Sequence, residues 1–245
     1  MKTLLYLPTP NGEERIALDN NLILQTARGL VKEANEDSIG YFANETFKRI
    51  CIADGHWGDQ ASRTAVRYWT DEAREFPTTL SSAISRTQEL EEMIYTEFGK
   101  PSMNENSDFT PETSFTCVEI LDNNVTIISY GDTRLLIANN GTLKYKQATH
   151  ETWLGAFSYL ELRNRMPAEQ ATTFTKIQLD QNDYIFLFTD GVDQCVYEKD
   201  TIPLEKIVEL SKQQHLGRIF NTLFQEIFKN GAEDNASLAV FKYQE

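Results

Sequence analysis

Acidic residues stand at the ends of apolar, strand-like segments at four places in the chain. These four acidic positions are Glu36, Asp54, Asp190 and Asp234. Carboxylate oxygens are hard ligands that suit Mg²⁺ or Mn²⁺, and no cluster of cysteine or histidine points to structural zinc. Gly55 has no side chain, so its backbone carbonyl could approach a cation closely. The pattern therefore predicts an oxygen-rich metal site.

The best-defined of these places follows the apolar run 50–53. The run stops at Asp54, and the residues from Gly58 onward have the pattern of a helix. We therefore expect Asp54 and His56 to lie on a strand-to-helix turn, with side chains that project free of the core.

Composition excludes several classes of partner. The 245 residues include 37 acidic and 23 basic side chains, which gives a net charge of -14. This charge argues against nucleic acid or an anionic membrane as the main partner, although an ordinary acidic surface accounts for most of it. The three cysteines, Cys51, Cys117 and Cys195, form no CxxC motif and lie in apolar contexts. We expect buried free thiols, as in a reducing compartment.

The N-terminal segment has one lysine and only a short apolar run before Pro8. It does not have the pattern of a signal peptide, and no apolar stretch approaches the roughly 20 residues of a membrane helix. We expect a single domain over residues 1–245 and a cytoplasmic location.

Hydrophobic periodicity and turn residues divide the chain into strands and helices. Strands are predicted at 2–7, 12–17, 22–27, 38–43, 48–53, 114–121, 125–130, 134–139, 142–147, 172–179, 183–189 and 236–243. Helices are predicted from Ala61 to Phe76, from Leu80 to Phe98 with Thr78 or Thr79 as N-cap, around 159–166, at 202–214 and at 217–229.

The order of these elements predicts the architecture. Strand runs alternate with helix pairs, whereas parallel βαβ winding would need strict alternation of single elements. We therefore expect an α+β fold, a four-layer α-β-β-α sandwich in which two antiparallel sheets pack face to face. Turns at 122–124 and 139–141 indicate that the strands from 114 to 147 form an antiparallel meander. The stripe that contains Trp69 is interpreted as a packing surface.

Five short motifs occur in a fixed order between residues 26 and 241. They are Asn-Glu-Asp-Ser at 35–38, Asp-Gly-His-Trp-Gly at 54–58, Gly-Asp-Thr-Arg at 131–134, Thr-Asp-Gly-Val at 189–192 and Asp-Asn at 234–235. Together they resemble the motifs of the metal-dependent serine/threonine protein phosphatases, the protein phosphatase 2C family. The resemblance covers nearly the whole chain.

The resemblance implies a centre of two Mg²⁺ or Mn²⁺ ions at one end of the sandwich. Asp54 would bridge both ions, and Asp190 and Asp234 would hold one of them. The Gly55 carbonyl would bind the other ion, with Glu36 reaching it directly or through water. No residue clearly matches the aspartate that holds a third ion in many family members.

The resemblance also implies roles for residues around the metals. Asp37 would orient a metal-bound water, and His56 would act as the general acid that protonates the leaving alkoxide. Lys32 stands where the family places a phosphate-gripping arginine, and Arg28 is the nearest arginine upstream. Asp132 and Arg134 are interpreted as residues that close a strand turn.

The favoured function is hydrolysis of phosphoserine or phosphothreonine on proteins. The expected partner is a phosphorylated protein, the target of a serine/threonine kinase, and the enzyme is expected to be a monomer. One alternative is a catalytically silent module that binds a partner or phosphoprotein through the same cleft. A further alternative is a metal-dependent hydrolase of small phosphoesters.

Overall fold

The computed structural model describes residues 3–6, 13–18, 21–99, 110–155, 166–196 and 202–244. Its strands are β1 (Thr3–Tyr6), β2 (Glu13–Leu18), β3 (Leu22–Ala27), β4 (Ser38–Ala43), β5 (Phe47–His56), β6 (Glu112–Leu121), β7 (Asn124–Tyr130), β8 (Arg134–Asn139), β9 (Thr142–Lys146), β10 (Leu154–Gly155), β11 (Thr173–Gln178), β12 (Tyr184–Phe188) and β13 (Ala236–Lys242). Its helices are α1 (Gln60–Thr70), α2 (Leu80–Phe98), α3 (Ala168–Ala171), α4 (Asp190–Asp193), α5 (Leu204–Glu209), which continues as a 3-10 turn (Leu210–Lys212), and α6 (Leu216–Lys229).

These strands form two sheets. The first has the order β1-β4-β5-β6-β7-β11, with the short β10 also paired to β6, and the second has the order β2-β3-β13-β12-β8-β9. Every strand pairing among the described residues is antiparallel. The expectation of two antiparallel sheets without βαβ winding is confirmed.

Three apolar cores join four layers. Alternate residues of β5 face opposite sides of the first sheet, because successive side chains of a strand point in opposite directions. Ile50 and Ile52 face the core between the sheets, whereas Cys51 and Ala53 face α1 and α2. A third core lies between the second sheet and helices α5 and α6. The α+β, four-layer architecture predicted from element order is confirmed.

Strand β5 is longer than its apolar run. It continues to His56, because Asp54, Gly55 and His56 pair with the N-terminal part of β6. Asp54 is only 6% exposed. The predicted strand-to-helix turn at Asp54, with side chains free of the core, is therefore wrong, and the turn lies at 57–59.

Helix α1 ends earlier than its hydrophobic stripe suggests. Asp71 is extended at its C-terminus, and Arg49 donates a hydrogen bond of 2.7 Å to the Asp71 carbonyl. Phe76 lies beyond the helix but packs against Trp69 with ring centroids 5.9 Å apart. Phe76 follows Trp69 by seven positions, which is about two helical turns. Helical periodicity alone therefore could not show whether Phe76 lies within the helix or beyond its end. The interpretation of Trp69 as a core residue is confirmed.

Helix α2 begins as predicted. The Thr79 side chain accepts a hydrogen bond from the Ser82 amide, and the Ser82 hydroxyl accepts one from the Thr79 amide in a capping box. The predicted helix around 159–166 lies outside the described residues except for Met166, which is not helical. All three cysteines are buried and free, as expected.

The predicted meander is divided between the sheets. Strands β6 and β7 form a hairpin in the first sheet, and β8 and β9 form a hairpin in the second. The chain crosses from one sheet to the other at 131–133, where Gly131 has a positive φ of 95°. Turn residues mark hairpins, but they do not show which hairpins share a sheet. No helix of the described residues is long and apolar enough to cross a membrane.

Candidate metal centre

A hydrogen-bond network joins the two sheets beside the candidate ligands. Thr189 donates a hydrogen bond of 2.8 Å from Oγ1 to Asp37 Oδ2, and the Ser237 amide donates to the same Thr189 oxygen at 3.0 Å. Asn35 reaches Thr26 Oγ1 at 2.7 Å and accepts a bond from the Asp37 amide. Asp37 is 1% exposed, so its carboxylate is fixed inside this network.

Asn235 holds the loop 28–34 and the Glu36 backbone together. Its amide nitrogen donates to the carbonyls of Arg28 and Ala34, at 2.7 and 2.9 Å. Its oxygen accepts a hydrogen bond of 2.8 Å from the Glu36 amide. The buried Asn235 side chain thus holds the Glu36 backbone close to Asp234, the candidate ligand that directly precedes Asn235 in the chain. The sequence motif contains Asn235, but sequence reasoning gave it no role.

Glu36 and Gly55 lie against each other. A Cβ atom at Gly55 would approach the Glu36 carbonyl oxygen to 2.2 Å, so only glycine fits here. The Glu36 carboxylate accepts a hydrogen bond of 2.5 Å from the Gly58 amide, and Ser62 donates to the Glu36 carbonyl at 2.6 Å. The loop after β5 and the loop before β4 are therefore locked together.

Asp54 lies on β5 of the first sheet and Asp190 directly after the loop that follows β12 of the second, and the two carboxyl groups interact electrostatically. Burial, and then the negative charge of Asp190 and neighbouring aspartates, raise the pKa of Asp54 well above its ordinary value. Burial and the charges of Asp234 and Asp132 raise the pKa of Asp190 to about 7. These carboxyl groups form one cluster, buried at Asp54 and half-buried at Asp190, that favours protons or cations.

Asp37 is part of the same cluster. Burial raises the pKa of Asp37 to about 8, although hydrogen bonds from Ser237 and Thr189 act in the opposite direction. The charges of Asp234 and Asp190 raise it further.

Asp132 is the residue whose role sequence reasoning underestimated. Its charge raises the pKa of Asp54, Asp190 and His56, so it lies within electrostatic reach of all three. Its buried Oδ1 has no hydrogen-bond partner among the described residues. The interpretation as a turn residue is therefore incomplete, because Asp132 also contributes an unsatisfied acceptor to the cluster. Its place in the ordered motif 131–134 was the available signal.

His56 lies at the edge of the cluster. Its Nε2 is 3.9 Å from Asp54 Oδ1, and its ring meets the edge of Trp153 at 5.1 Å between centroids and an angle of 87°. Burial lowers the pKa of His56, while the charge of Asp132 acts in the opposite direction and that of Lys32 adds to the lowering. Within the described residues, Nδ1 has no hydrogen-bond partner.

The two candidate phosphate ligands have different surroundings. Lys32 Nζ is 3.0 Å from Asp234 Oδ1, so its ammonium group is at the cluster. Arg28 donates a hydrogen bond of 3.3 Å to the carbonyl of Glu33 in its own loop. The structure thus brings Lys32 to the predicted ligands, while the observed bond of Arg28 is local.

The donor chemistry fits hard divalent cations. The cluster offers carboxylate and carbonyl oxygens, raised carboxyl pKa values and the unsatisfied oxygen of Asp132. In the part of the chain that the structure describes, no three such side chains already converge on one point that could hold an ion. Because the pKa values of Asp37, Asp54 and Asp190 are raised, cation binding at these carboxyl groups would have to displace protons.

Sequence comparisons and structural comparisons differ in what they find. No family model matches the sequence, and no curated protein matches it. The solved structure of the serine/threonine phosphatase Stp1 from Staphylococcus aureus superposes with a TM-score of 0.71 at 17% identity, over 98% of this chain and 100% of that chain. The Mycobacterium tuberculosis serine/threonine phosphatase PstP/Ppp gives a TM-score of 0.66 at 18% identity and covers 100% of both chains.

A third neighbour was crystallised with a cation. RsbX in complex with magnesium superposes with a TM-score of 0.65 at 12% identity, over 94% of this chain and 98% of that chain. All three neighbours match almost their full length, so the similarity extends over both sheets and their helices. The chain therefore has the fold of the bacterial serine/threonine phosphatases of the protein phosphatase 2C type.

Proposed function

We propose that this chain hydrolyses phosphoserine and phosphothreonine in proteins with the help of two Mg²⁺ or Mn²⁺ ions. The observation that carries the proposal is the carboxyl cluster at the junction of the two sheets, in which Asp37 and Asp54 are buried and Asp190 raises the pKa of Asp54. A cluster of raised pKa values costs stability in the absence of cations, and such clusters are typical of functional sites. Proteins with the same fold include serine/threonine phosphatases, which supports phosphoester hydrolysis as the class of reaction.

The proposed ligands are those that the resemblance to the protein phosphatase 2C family implies. Asp54 would serve both ions, Asp190 and Asp234 would hold one ion, and Glu36 with the Gly55 carbonyl would hold the other. When bound, such ions lower the pKa of a bound water and neutralise charge on the phosphoryl oxygens. The packing of Gly55 against Glu36 keeps these two donors adjacent.

Other residues of the chain handle the water, the proton and the phosphate. Asp37, held by Thr189 at 2.8 Å, is fixed so that it can orient a water molecule beside the ligands. His56, held next to Asp54 and against Trp153, is placed to give a proton to the leaving alkoxide. Lys32 supplies a positive charge that can attract the phosphoryl group, although an ammonium group lacks the bidentate fork of arginine. Arg28, four residues upstream, remains the second candidate for this contact.

The structural neighbours support the same class of reaction. Two are named serine/threonine phosphatases, and a third was crystallised with magnesium. On this basis the partner of the chain is a phosphorylated protein, the product of a serine/threonine kinase. We propose that the chain acts as a monomer in the cytoplasm.

One observation favours the second candidate function, a catalytically silent module that binds a phosphoprotein or other partner. Lys32 forms a salt bridge of 3.0 Å with Asp234, so an ammonium group already neutralises one candidate metal ligand. In a silent module this lysine would replace an ion permanently. In an active phosphatase it would turn from Asp234 toward the phosphoryl group when cations bind.

The deciding experiment measures hydrolysis of a phosphothreonine peptide and of p-nitrophenyl phosphate with Mn²⁺, Mg²⁺ or chelator. Asp54→Ala and Asp190→Ala serve as test variants, and calorimetric titration with Mn²⁺ measures binding directly. Metal-dependent turnover that both variants lose supports the phosphatase. A folded protein that binds no Mn²⁺ and hydrolyses neither substrate would support the silent module.

A further inference from the structure

Large apolar side chains are exposed in two loops that adjoin the candidate metal centre. Leu30 and Val31 are 63% and 65% exposed in the loop between β3 and β4, and Trp57 is 52% exposed in the loop between β5 and α1. Single exposed apolar residues are common on soluble proteins and need no explanation. These three differ because they border the proposed ligands.

The contacts of the two loops place these residues next to the candidate ligands. The loop with Leu30 and Val31 continues directly to Lys32, which contacts Asp234 at 3.0 Å. Trp57 lies between His56 and Gly58 in the chain, and the Gly58 amide donates to the Glu36 carboxylate. Both loops therefore adjoin the cluster of candidate ligands, and we call Leu30, Val31 and Trp57 the apolar rim.

The first loop holds its apolar residues in a fixed position. Asn235 binds the carbonyls at both ends of the segment, those of Arg28 and Ala34. The Leu30 amide donates a hydrogen bond of 2.7 Å to the Ala232 carbonyl. Gly29 has a positive φ of 81°, and a Cβ atom there would meet the Asp234 carbonyl at 2.2 Å. The exposed side chains thus project from an anchored loop.

The second loop holds Trp57 in a backbone conformation that a bulky residue rarely adopts. Its φ is 62°, within the left-handed region, where glycine and asparagine are favoured. Strained positions of this kind concentrate at binding and catalytic sites. Trp57 is therefore both strained and half exposed beside the candidate ligands.

We propose that the apolar rim binds the residues that flank the phosphorylated serine or threonine of a protein substrate, and that it selects apolar residues there. This inference rests on the proposed function, because it takes the phosphoryl group to bind at the carboxylate cluster. An extended chain advances about 3.4 Å per residue, so the first two neighbours on each side of the phosphoresidue pass over the loops that border the site.

The charge of the molecule supports a peptide with apolar neighbours rather than acidic ones. The chain carries a net charge of -14, and the mouth itself contains the carboxylate cluster. Acidic residues beside the phosphoryl group would be repelled, apart from local attraction by Lys32. Apolar contact supplies binding free energy that does not depend on charge, and exposed tryptophan is enriched at such contacts.

The test compares two phosphothreonine peptides in the presence of Mn²⁺, one with leucine and the other with serine at the two positions on each side of the phosphoresidue. The variants are Trp57→Asn, which suits the left-handed backbone, and the double variant Leu30→Ser with Val31→Ser. Leu143→Ser is the matched control, since Leu143 is 45% exposed on the distant strand β9. The readout is the ratio of kcat/KM for the leucine peptide to that for the serine peptide.

We expect a ratio of about ten or more in the unaltered protein, a value near one in both rim variants, and no change in Leu143→Ser. A ratio near one in the unaltered protein, or one that survives in both rim variants, would overturn the inference. If no phosphoester is hydrolysed with any metal, the proposed function fails. Calorimetric titration with the same two peptides then tests separately whether the apolar rim binds the leucine peptide more tightly than the serine peptide. If the protein forms a dimer and both rim variants abolish that dimer, the apolar rim binds a second copy of the chain. This result would also overturn the inference.

Discussion

Replacing Asp190 by asparagine should raise the stability of the metal-free protein at neutral pH. Asp190 lies in a cluster with Asp54, Asp132 and Asp234, and burial together with the charges of Asp234 and Asp132 raises its pKa from an ordinary 3.8 to about 7. The native state therefore opposes ionisation of this carboxyl group. An asparagine amide cannot ionise, so it removes this opposition with little change in side-chain size.

The size of the effect follows from the linkage between pKa and stability. Each pKa unit corresponds to about 1.4 kcal/mol, so a pKa of about 7 in place of 3.8 sets a ceiling of roughly 4 kcal/mol. The neighbouring carboxyl groups share the repulsion and readjust when one of them is removed. We therefore expect a gain of about 2 kcal/mol, which for a chain of this size raises Tm by about 4 to 8 °C.

The sign of the pH dependence provides a second check. Between pH 4 and 7 the native protein binds more protons at Asp190 than the unfolded chain does, so metal-free stability falls as pH rises through this window. The Asp190→Asn variant should lose stability less steeply over the same window. Its slope does not vanish, because burial also raises the pKa of Asp37 and of Asp54.

The assay is thermal unfolding in chelator from pH 4 to 8, repeated with saturating Mn²⁺. Asp122→Asn is the matched control, because Asp122 is an exposed turn residue with a φ of 52° that asparagine tolerates. The variant should be more stable than the unaltered protein at pH 8, nearly equal at pH 4, and less stabilised by Mn²⁺. A metal-free Asp190→Asn protein that is less stable at pH 8 would refute the reasoning.

Four other substitutions have defined outcomes. His56→Gln should lower kcat for phosphothreonine peptides by about 10² to 10⁴, and steady-state kinetics at fixed Mn²⁺ would contradict this if kcat stays within twofold. Lys32→Ala should raise KM for the peptide more than it lowers kcat, and an unchanged KM would reject its contact with phosphate. Gly55→Ala should destabilise the protein by about 1 to 3 kcal/mol in urea unfolding, because its Cβ would meet the Glu36 carbonyl at 2.2 Å. Burial alone would raise the pKa of Glu89, but hydrogen bonds from nearby arginine and tyrosine side chains lower it to about 2. Glu89→Gln should therefore cost no more than about 1 kcal/mol at pH 7, and that difference should vanish as pH falls from about 4.5 to 2.

The two-sheet architecture was predictable because the physical signal is strong in the sequence. Strands covered on both faces require long apolar runs, as in β12, and residues 183–189 show such a run. Hairpin turns at 122–124 and 139–141 were also correctly placed. Which sheet each hairpin joins depends on tertiary packing, and the turn residues carry no information about it.

The limits of the candidate site were harder to predict than its chemistry. The end of β5 was missed because Gly55 and His56 belong to the strand through pairing with β6, and polar strand ends carry no apolar pattern. The hydrogen bonds of Asn235 with Glu36 and Ala34 join residues about 200 positions apart in the chain. The exposure of Trp57 and its left-handed backbone could not be read from its residue type, which favours burial.

The central position of β13 in the second sheet has a consequence for synthesis of the chain. β13 is the only described strand that joins β3 to β12, and the bond between Thr26 and Ser237 spans 211 residues. Domains begin to fold from the N-terminus as the ribosome releases them, and contacts this distant close slowly. The hairpin of β2 and β3 therefore has one edge of β3 unpaired until β13 emerges from the ribosome. A nascent chain therefore cannot complete the candidate site before β13 has emerged, because Asp234 and Asn235 directly precede that strand.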